Sequence, residues 1–432
     1  MSTLGAPGGP GPGFSPPDGG LQAWLTVTAG FIAQFCSFGF LNAMGIFHHV
    51  YQEDLLKENS ASQISWILTF QFFLMFFLGQ TMGVAVDMWG PKMVLIPSSI
   101  VAVTGLILLS FAKTYWQVFL AQGVVFGIGV AGIFMPGLVV TGQFFARRRG
   151  MAMGIVAAGS SVGGVVFPIF LHNMLEPHGF SNTLRYTAAM MAGLMAIACA
   201  CISSPFPPKG WVARRGVVSL ESFKKKEYLL FCIGAFFVFW GLFGPFDYLP
   251  QQTSQTPKLS SLSIYSIVIL NGASLPGRII PAILADKFGR FNIIIPIVFL
   301  CSISVMAMWI PLVYYPNLVG IILFAIVFGF VSGGFLSVMN PCIADLCDNI
   351  QELGTRIGGF LMVAAVASLT GLPIQGVIFD KLEGNDRFMG LITFSGVTMG
   401  IGAGFVSWAG VRVNGIIARR KREEFGLQRR EV

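Results

Sequence analysis

Arg278 lies inside an otherwise apolar run, in a polar row with Asn271 and Ser274 at spacings of three and four. That spacing puts all three side chains on one face of a helix. Asp286, the next acidic residue, is eight positions on, about 12 Å along a helix axis at ~1.5 Å per residue. The base of Arg278 is therefore near the middle of a membrane, where a charge is costly and is held by a cavity or a partner. The planar guanidinium suits two parallel hydrogen bonds to a carboxylate. The chemistry this row offers is anion recognition. Its plain alternative is an arginine that snorkels to the membrane surface, for which 12 Å is a long reach. Asn42 and Asn340, in two other apolar runs, could meet the same cavity or could each join two helices by a hydrogen bond.

A second set of residues stands at turns. Gly83-V-A-V-Asp87-M-W-Gly90-P-Lys92 closes one apolar run, and Ala282-I-L-A-Asp286-K-F-Gly289-Arg290 closes another. Asp87 and Asp286 are 199 residues apart, as are Gly90 and Gly289. A carboxylate at such a turn can approach the partial positive charge of a helix N-terminus or a basic residue on the same face. Either contact would latch that face in one state, and the repetition favours this over a solvated turn. Gly83, Asp87, Gly90, Lys92, Asp286, Lys287, Gly289 and Arg290 are thus candidate gating residues, distinct from substrate ligands.

Little else offers chemistry. The seven cysteines are scattered through apolar runs and read as small apolar side chains. Gly127-I-Gly129-V-A-Gly132 matches a dinucleotide fingerprint, but no strand precedes it and no acid follows at the required distance, so it reads as close helix packing. His48, His49, His172 and His178 fall near the expected outer edge and read as interfacial, with sensing of external pH as the alternative. Asp247, before Tyr248 and Pro250, reads as a solvated helix end, with an outer gate as the alternative. No metal site, cofactor or clustered catalytic group is expected, so an integral-membrane enzyme is disfavoured, and no pore-loop sequence supports a channel.

The elements that carry these residues follow from composition. Hydrophobic residues make up 54% of the 432 and charged residues 11%, where soluble proteins carry about 25% charged. Such a chain fits a polytopic membrane protein. Helical spans are predicted at 22–46, 61–86, 93–112, 115–144, 151–172, 184–204, 227–250, 261–285, 291–312, 316–344, 356–379 and 388–411, numbered 1 to 12 here. With the N-terminus inside, inner segments hold twenty Lys and Arg against six on outer segments, which places both termini in the cytosol. The net charge of +8 therefore reflects topology, and no nucleic-acid partner is expected. No basic leader precedes the first run, whose upstream segment contains no Lys or Arg before Lys57. The expected organisation is a disordered Gly/Pro-rich lead over 1–21, a six-helix bundle over 22–204, a cytosolic loop over 205–226, a second bundle over 227–411, and a basic tail over 412–432. The shared offset of 199 makes the bundles repeats, an arrangement used by transporters.

The loop strings around Asp87 and Asp286 resemble the loop motif of the major facilitator superfamily. Asp18-Gly19-Gly20-L-Q-A-Trp24, the span-5 series Arg149-Gly150-M-A-M-Gly154 to Pro168, and Gly371-L-Pro373-I-Q-Gly376 are similar to segments of its monocarboxylate-porter branch, in a fungal form. The resemblance covers Asp18 to about Val413. It implies an all-α fold of twelve membrane helices in two pseudo-twofold halves, with alternating access to a central cavity. It also implies a carboxylate-binding role for Arg278 and a gating role for the loop motifs. Two departures stand out. Porters of short carboxylates carry an acid one turn before that arginine, where this chain has Ser274, and a lysine in span 1, where it has Asn42. The proton-relay pair is absent, so any proton coupling would need Asp87, Asp247 or an acidic substrate.

The expected function is secondary transport of a small organic solute, an organic anion or a bulkier metabolite. Efflux of a fungal secondary metabolite is the first alternative, and a non-transporting nutrient sensor on the same fold is the second. Expected partners are that solute, a proton as possible co-substrate, and the lipid bilayer, with the protein working as a monomer. The expected location is the plasma membrane, with the vacuolar membrane as the alternative.

Overall fold

The computed structural model describes residues 18–145, 149–208, 220–257, 259–346 and 353–428. Residues 1–17 of the expected lead, Arg147, Arg148, most of the central loop and the last four residues of the tail lie outside these. Among the described residues there is no strand, and eleven helices are long and apolar enough to cross a membrane. One of them, Arg149–Cys201, has 53 residues, about 80 Å at ~1.5 Å per residue, twice what a bilayer core of ~30 Å and its interfaces require. Gly179 interrupts it at φ 71°, ψ 169°, so it is spans 5 and 6 joined at a sharp break, and the crossings number twelve.

The remaining spans are Leu21–Leu55, Ala61–Trp89, Pro91–Leu109 and Tyr115–Phe144 in the first half. Lys226–Gln255, Ser260–Phe288 and Arg290–Tyr314, then Leu318–Asp345, Leu353–Lys381 and Gly384–Gln428, form the second. Several boundaries differ from the predicted ones. Span 1 continues past residue 46 to Leu55, with Met44–Val50 packed on Gly244–Gln255 of span 7. Span 7 continues past residue 250 to Gln255, where Gln252 donates to Leu312 O and accepts from the Trp309 indole of span 9. Span 12 continues through the basic tail to Gln428, whose Arg, Lys, Glu and Leu are good helix formers.

Sequence signals explain the sharp corners. Span 2 ends at Gly90, φ 87°, ψ 161°, and span 8 ends at Gly289, φ 94°, ψ 136°. Each is followed at once by the next helix. Backbone of this kind is nearly closed to side chains with a Cβ. Spans 1 and 7 are also broken at matching places. Span 1 turns at Asn42–Ala43 and span 7 at Phe243, about the same 199-residue offset that relates the two loop motifs.

Within each half, small residues let helices touch backbone to backbone. A Cβ on Gly163 of span 5 would lie 2.8 Å from Gly39 Cα of span 1, and one on Gly333 of span 10 would lie 2.6 Å from Ser274 O of span 8. The Gly127–Gly132 string packs in the same way, with Gly129 against Ala102 of span 3. With no water in the bilayer to drive helices together, such close contact supplies the cohesion. The halves then meet along two seams, span 2 with span 11 and span 8 with span 5.

Gly90→Ala and Gly289→Ala should each lower stability by about 1–3 kcal/mol, read as a lower Tm of the purified protein. Gly154→Ala, at a helical position with open space around it, should leave Tm unchanged or slightly higher.

Candidate substrate site

Span 8 presents Asn271, Ser274 and Arg278 to span 5, and the glycine-serine run of span 5 is shaped to receive them. Arg278 is buried. Its Nη1 donates to Ala157 O at 3.2 Å and to the Ser160 hydroxyl, and its guanidinium carbon lies 5.5 Å from the Phe38 ring centroid of span 1. This distance is within cation–π range. The Ser274 and Ser161 hydroxyls are 2.8 Å apart. Asn271 fits against Gly164, where a Cβ would come within 2.5 Å of its amide. Asn42 Nδ2 donates to Ser160 O at 3.4 Å. Four of the five predicted substrate residues thus converge on Ser160, Ser161 and Gly164.

One alternative falls away and one expectation changes. Snorkelling does not occur, since Arg278 reaches across to the other half. Asn340 does not join the group. Gly333 is level with Ser274, and Asn340 is seven residues further along span 10, about 10 Å nearer the cytosolic end at ~1.5 Å per residue.

The rest of the centre is aromatic. Phe38 of span 1 neighbours Phe72 and Phe76 of span 2 and Phe134 of span 4, with ring centroids 5.9–6.3 Å away. Across the seam Phe72 meets Phe243 at 4.6 Å and Phe76 meets Phe239 at 5.9 Å, both on span 7. The chain of rings continues to Phe335 and Phe328 of span 10. Sequence reasoning missed Ser160, Ser161 and these rings as a set. The pairs Phe72/Phe76 and Phe239/Phe243, each four residues apart on one helix face, were the available signal. The result is one buried guanidinium at the edge of an aromatic core, open at its Nε, which has no hydrogen-bond partner among the described residues.

The gating candidates have mixed placements. Lys92 Nζ donates to Ala200 O at 3.5 Å, at the C-terminal end of span 6, where a cation is favoured. Arg290 pairs with Asp345 at 2.6 Å and with Pro341 O at 3.1 Å at the end of span 10. Asp286, in the same turn as Arg290, is exposed, as is Lys287, while Asp87 is half-buried. Gly83 rests against Met135 of span 4. Lys92 and Arg290 therefore tie helices within a half. Across the inner part of the seam between spans 2 and 11, the Gln80 side chain occupies the space a Cβ on Gly358 would need.

On the rim that the charge distribution assigns to the outside, Asp247 is no solvated helix end and His48 is not interfacial. Both are fully buried, with His48 Nδ1 2.7 Å from Asp247 Oδ2. The two helices can approach because Gly45 sits against the Phe246 and Asp247 carbonyls. His49, His172 and His178 are exposed. A second outer contact joins the halves: the Asp380 carboxylate accepts from Ala61 N at 3.2 Å and Ser62 N at 3.1 Å, capping span 2.

A family model described as Major Facilitator Superfamily matches residues 26–352. The MFS-type transporter hasB of Aspergillus fumigatus is 42% identical, over 90% of this chain and 88% of its own length. The fujikurins efflux protein of Gibberella fujikuroi is 38% identical, over 90% and 83%. The aspyridones efflux protein apdF of Emericella nidulans is 34% identical, over 91% and 80%. Among solved structures, the nucleoside transporter NupG matches with a TM-score of 0.64 at 15% identity, over 91% of this chain and 99% of that one, a likeness of fold alone. A twelve-span chain whose polar and aromatic centre lies between two repeated halves, with these relatives, belongs to the major facilitator superfamily.

Proposed function

We propose that the protein exports a bulky, largely apolar organic acid by alternating access, with Arg278 holding its anionic group and the phenylalanine cluster its body. The observation that carries this reading is the pairing of one buried guanidinium with aromatic rings on both sides of the seam. A short carboxylate would need a small polar site, whereas rings bury the faces of a large solute. The relatives named for efflux of fujikurins and of aspyridones support export of a fungal secondary metabolite. The solute crosses unchanged, with no enzymatic step.

In this reading Asn42, Asn271 and Ser274 set the polar edge of the site. Asn340 stands nearer the cytosolic entrance, and Gly83, Asp87, Gly90, Lys92, Asp286, Gly289 and Arg290 shape the cytosolic rim as the halves rock. The protein works as a monomer in the plasma membrane with both termini in the cytosol. Its two bundles span 22–204 and 227–411 about the loop 205–226. Ser160 releases Arg278 to the substrate, so seam opening and anion binding exchange one set of hydrogen bonds for another.

The test is counterflow in proteoliposomes, with labelled solutes from short monocarboxylates to bulky aromatic acids. Saturable movement of the aromatic acids is expected. Selective movement of the short acids would instead sink the export reading in favour of a monocarboxylate porter. Hydrogen bonds to a charged group contribute about 1.5–3 kcal/mol, so Arg278→Ala should lower kcat/KM for an acid by about ten- to a hundredfold while sparing its methyl ester. Arg278→Lys should fall between, since the fork geometry is lost. Phe239→Ala and Phe243→Ala should each raise KM for aromatic acids by roughly two- to tenfold, with little effect on aliphatic acids of equal charge.

A further inference from the structure

We propose that His48 and Asp247 form a proton-binding site that closes the outer gate, taking up one proton from the outside each time the halves close there. The inference rests on the alternating-access reading above, and it assigns a role to two residues outside the substrate site.

The first argument is position. His48 and Asp247 are 199 residues apart, the offset that relates Asp87 to Asp286 and Gly90 to Gly289. They are therefore equivalent positions in the two repeats. Two equivalent residues can touch only where the pseudo-twofold axis passes between them. The pair thus marks the axis at the outer rim, where opening must separate it. Each residue also stands a few positions beyond the break in its own helix, at Asn42–Ala43 and Phe243, so a bend at those breaks moves it.

The second argument is chemistry. The bond is 2.7 Å long between fully buried side chains. Among the described residues, His48 Nε2 and Asp247 Oδ1 have no hydrogen-bond partner. Among the described residues, His48 is the only basic group in ion-pair contact with Asp247. Around the pair, span 7 adds the Tyr248 ring, edge-on at 5.7 Å from the imidazole. Span 11 adds Phe379 against Tyr248 and, next to it, Asp380, already committed to the N–H groups of span 2. On span 1, Tyr51 is bonded to Gln122 and His49 faces outward. The hairpin of spans 5 and 6 offers Leu171, Leu175, Phe180, Thr183 and Leu184 to Ile46, Phe47 and Val50. The acids Asp54 and Glu176 line a recess further out.

The closed pair holds one shared proton in a charge-assisted bond. Opening hydrates both groups, and an imidazole in water gives up its proton above about pH 6.5. Closure therefore takes up a proton and opening releases it. By linkage, outer acidity favours the closed gate. Removing the proton from the closed pair would leave a buried carboxylate without a charged partner, which is costly.

Hydrogen exchange of the full-length protein in lipid nanodiscs tests this without a substrate. The readout is the amide protection of 44–55 and 244–255, corrected for intrinsic rate. At about pH 6 the parent is expected to be well protected, and at about pH 8 exchange in these two segments should quicken. His48→Gln and Asp247→Asn should each raise exchange there about tenfold at the lower pH and abolish its pH dependence. The double exchange His48→Asp with Asp247→His should restore protection, because the pair sits on the axis. A parent whose protection is the same at both pH values, single variants as protected as the parent, or a pH dependence that survives Asp247→Asn would each overturn the proposal. Should the single variants fail to fold, the parent's own pH dependence and the double exchange decide it. A failed counterflow assay alongside an intact pH response would sink the export reading alone.

Discussion

A guanidinium buried at membrane depth must be answered by polar groups from another helix, and in this protein the answer comes from the opposite half. Lipid offers Arg278 nothing. Ala157 O and Ser160 can reach it only because Gly159, Gly163 and Gly164 let span 5 lie close to spans 1 and 8. The same closeness sets Asn42, Ser161 and Asn271 around it. The polar centre and the seam that must open for transport are therefore one structure. In the proposed reading, solute binding at Arg278 competes with the bonds that hold the seam shut.

The pseudo-twofold arrangement sharpens this. The seam between spans 8 and 5 has a counterpart between spans 2 and 11, where Gln80 lies on Gly358. Under the 199-residue offset Gln80 corresponds to Ile279, which is exposed, and Gly358 to Gly159, which packs on Phe31 of span 1. One seam carries a permanent cation and the other a neutral amide. Under the same offset Arg278 corresponds to Gly79, so the two seams have diverged in chemistry. The outer rim shows the same divergence, with histidine in one repeat and aspartate in the other, so that equivalent positions attract where identical ones would not.

The aromatic centre explains how such a site can be both filled and adaptable. Rings from spans 1, 2, 4, 7 and 10 contact one another across the seam. A phenylalanine side chain has few rotamers, and ring pairs tolerate several mutual angles at similar energy. A solute with apolar surface can replace ring–ring contacts by ring–solute contacts at modest cost. The outer contacts differ in kind. Asp380 is held by backbone N–H groups of its neighbour, whereas Asp247 meets the side chain of His48.

Much of this was legible in the residues themselves. The lengths of apolar runs and the repeat at 199 specify twelve spans and two halves, and the bias of Lys and Arg assigns them a direction. Each is a local or additive property that lipid and water read one segment at a time. Helical spacing likewise put Asn271, Ser274 and Arg278 on one face. What it could not supply was the surface opposite that face. Asn340 shares the residue type of Asn42 yet stands about two turns away from the cluster, and Arg290 chose Asp345 over the nearer-in-sequence Asp286. His48 and Asp247 looked like two separate rim residues until the fold placed them together. Periodicity fixes the direction of a side chain about its own helix, but a partner 199 residues away is set by how two bundles pack about an axis, and that is decided only in three dimensions.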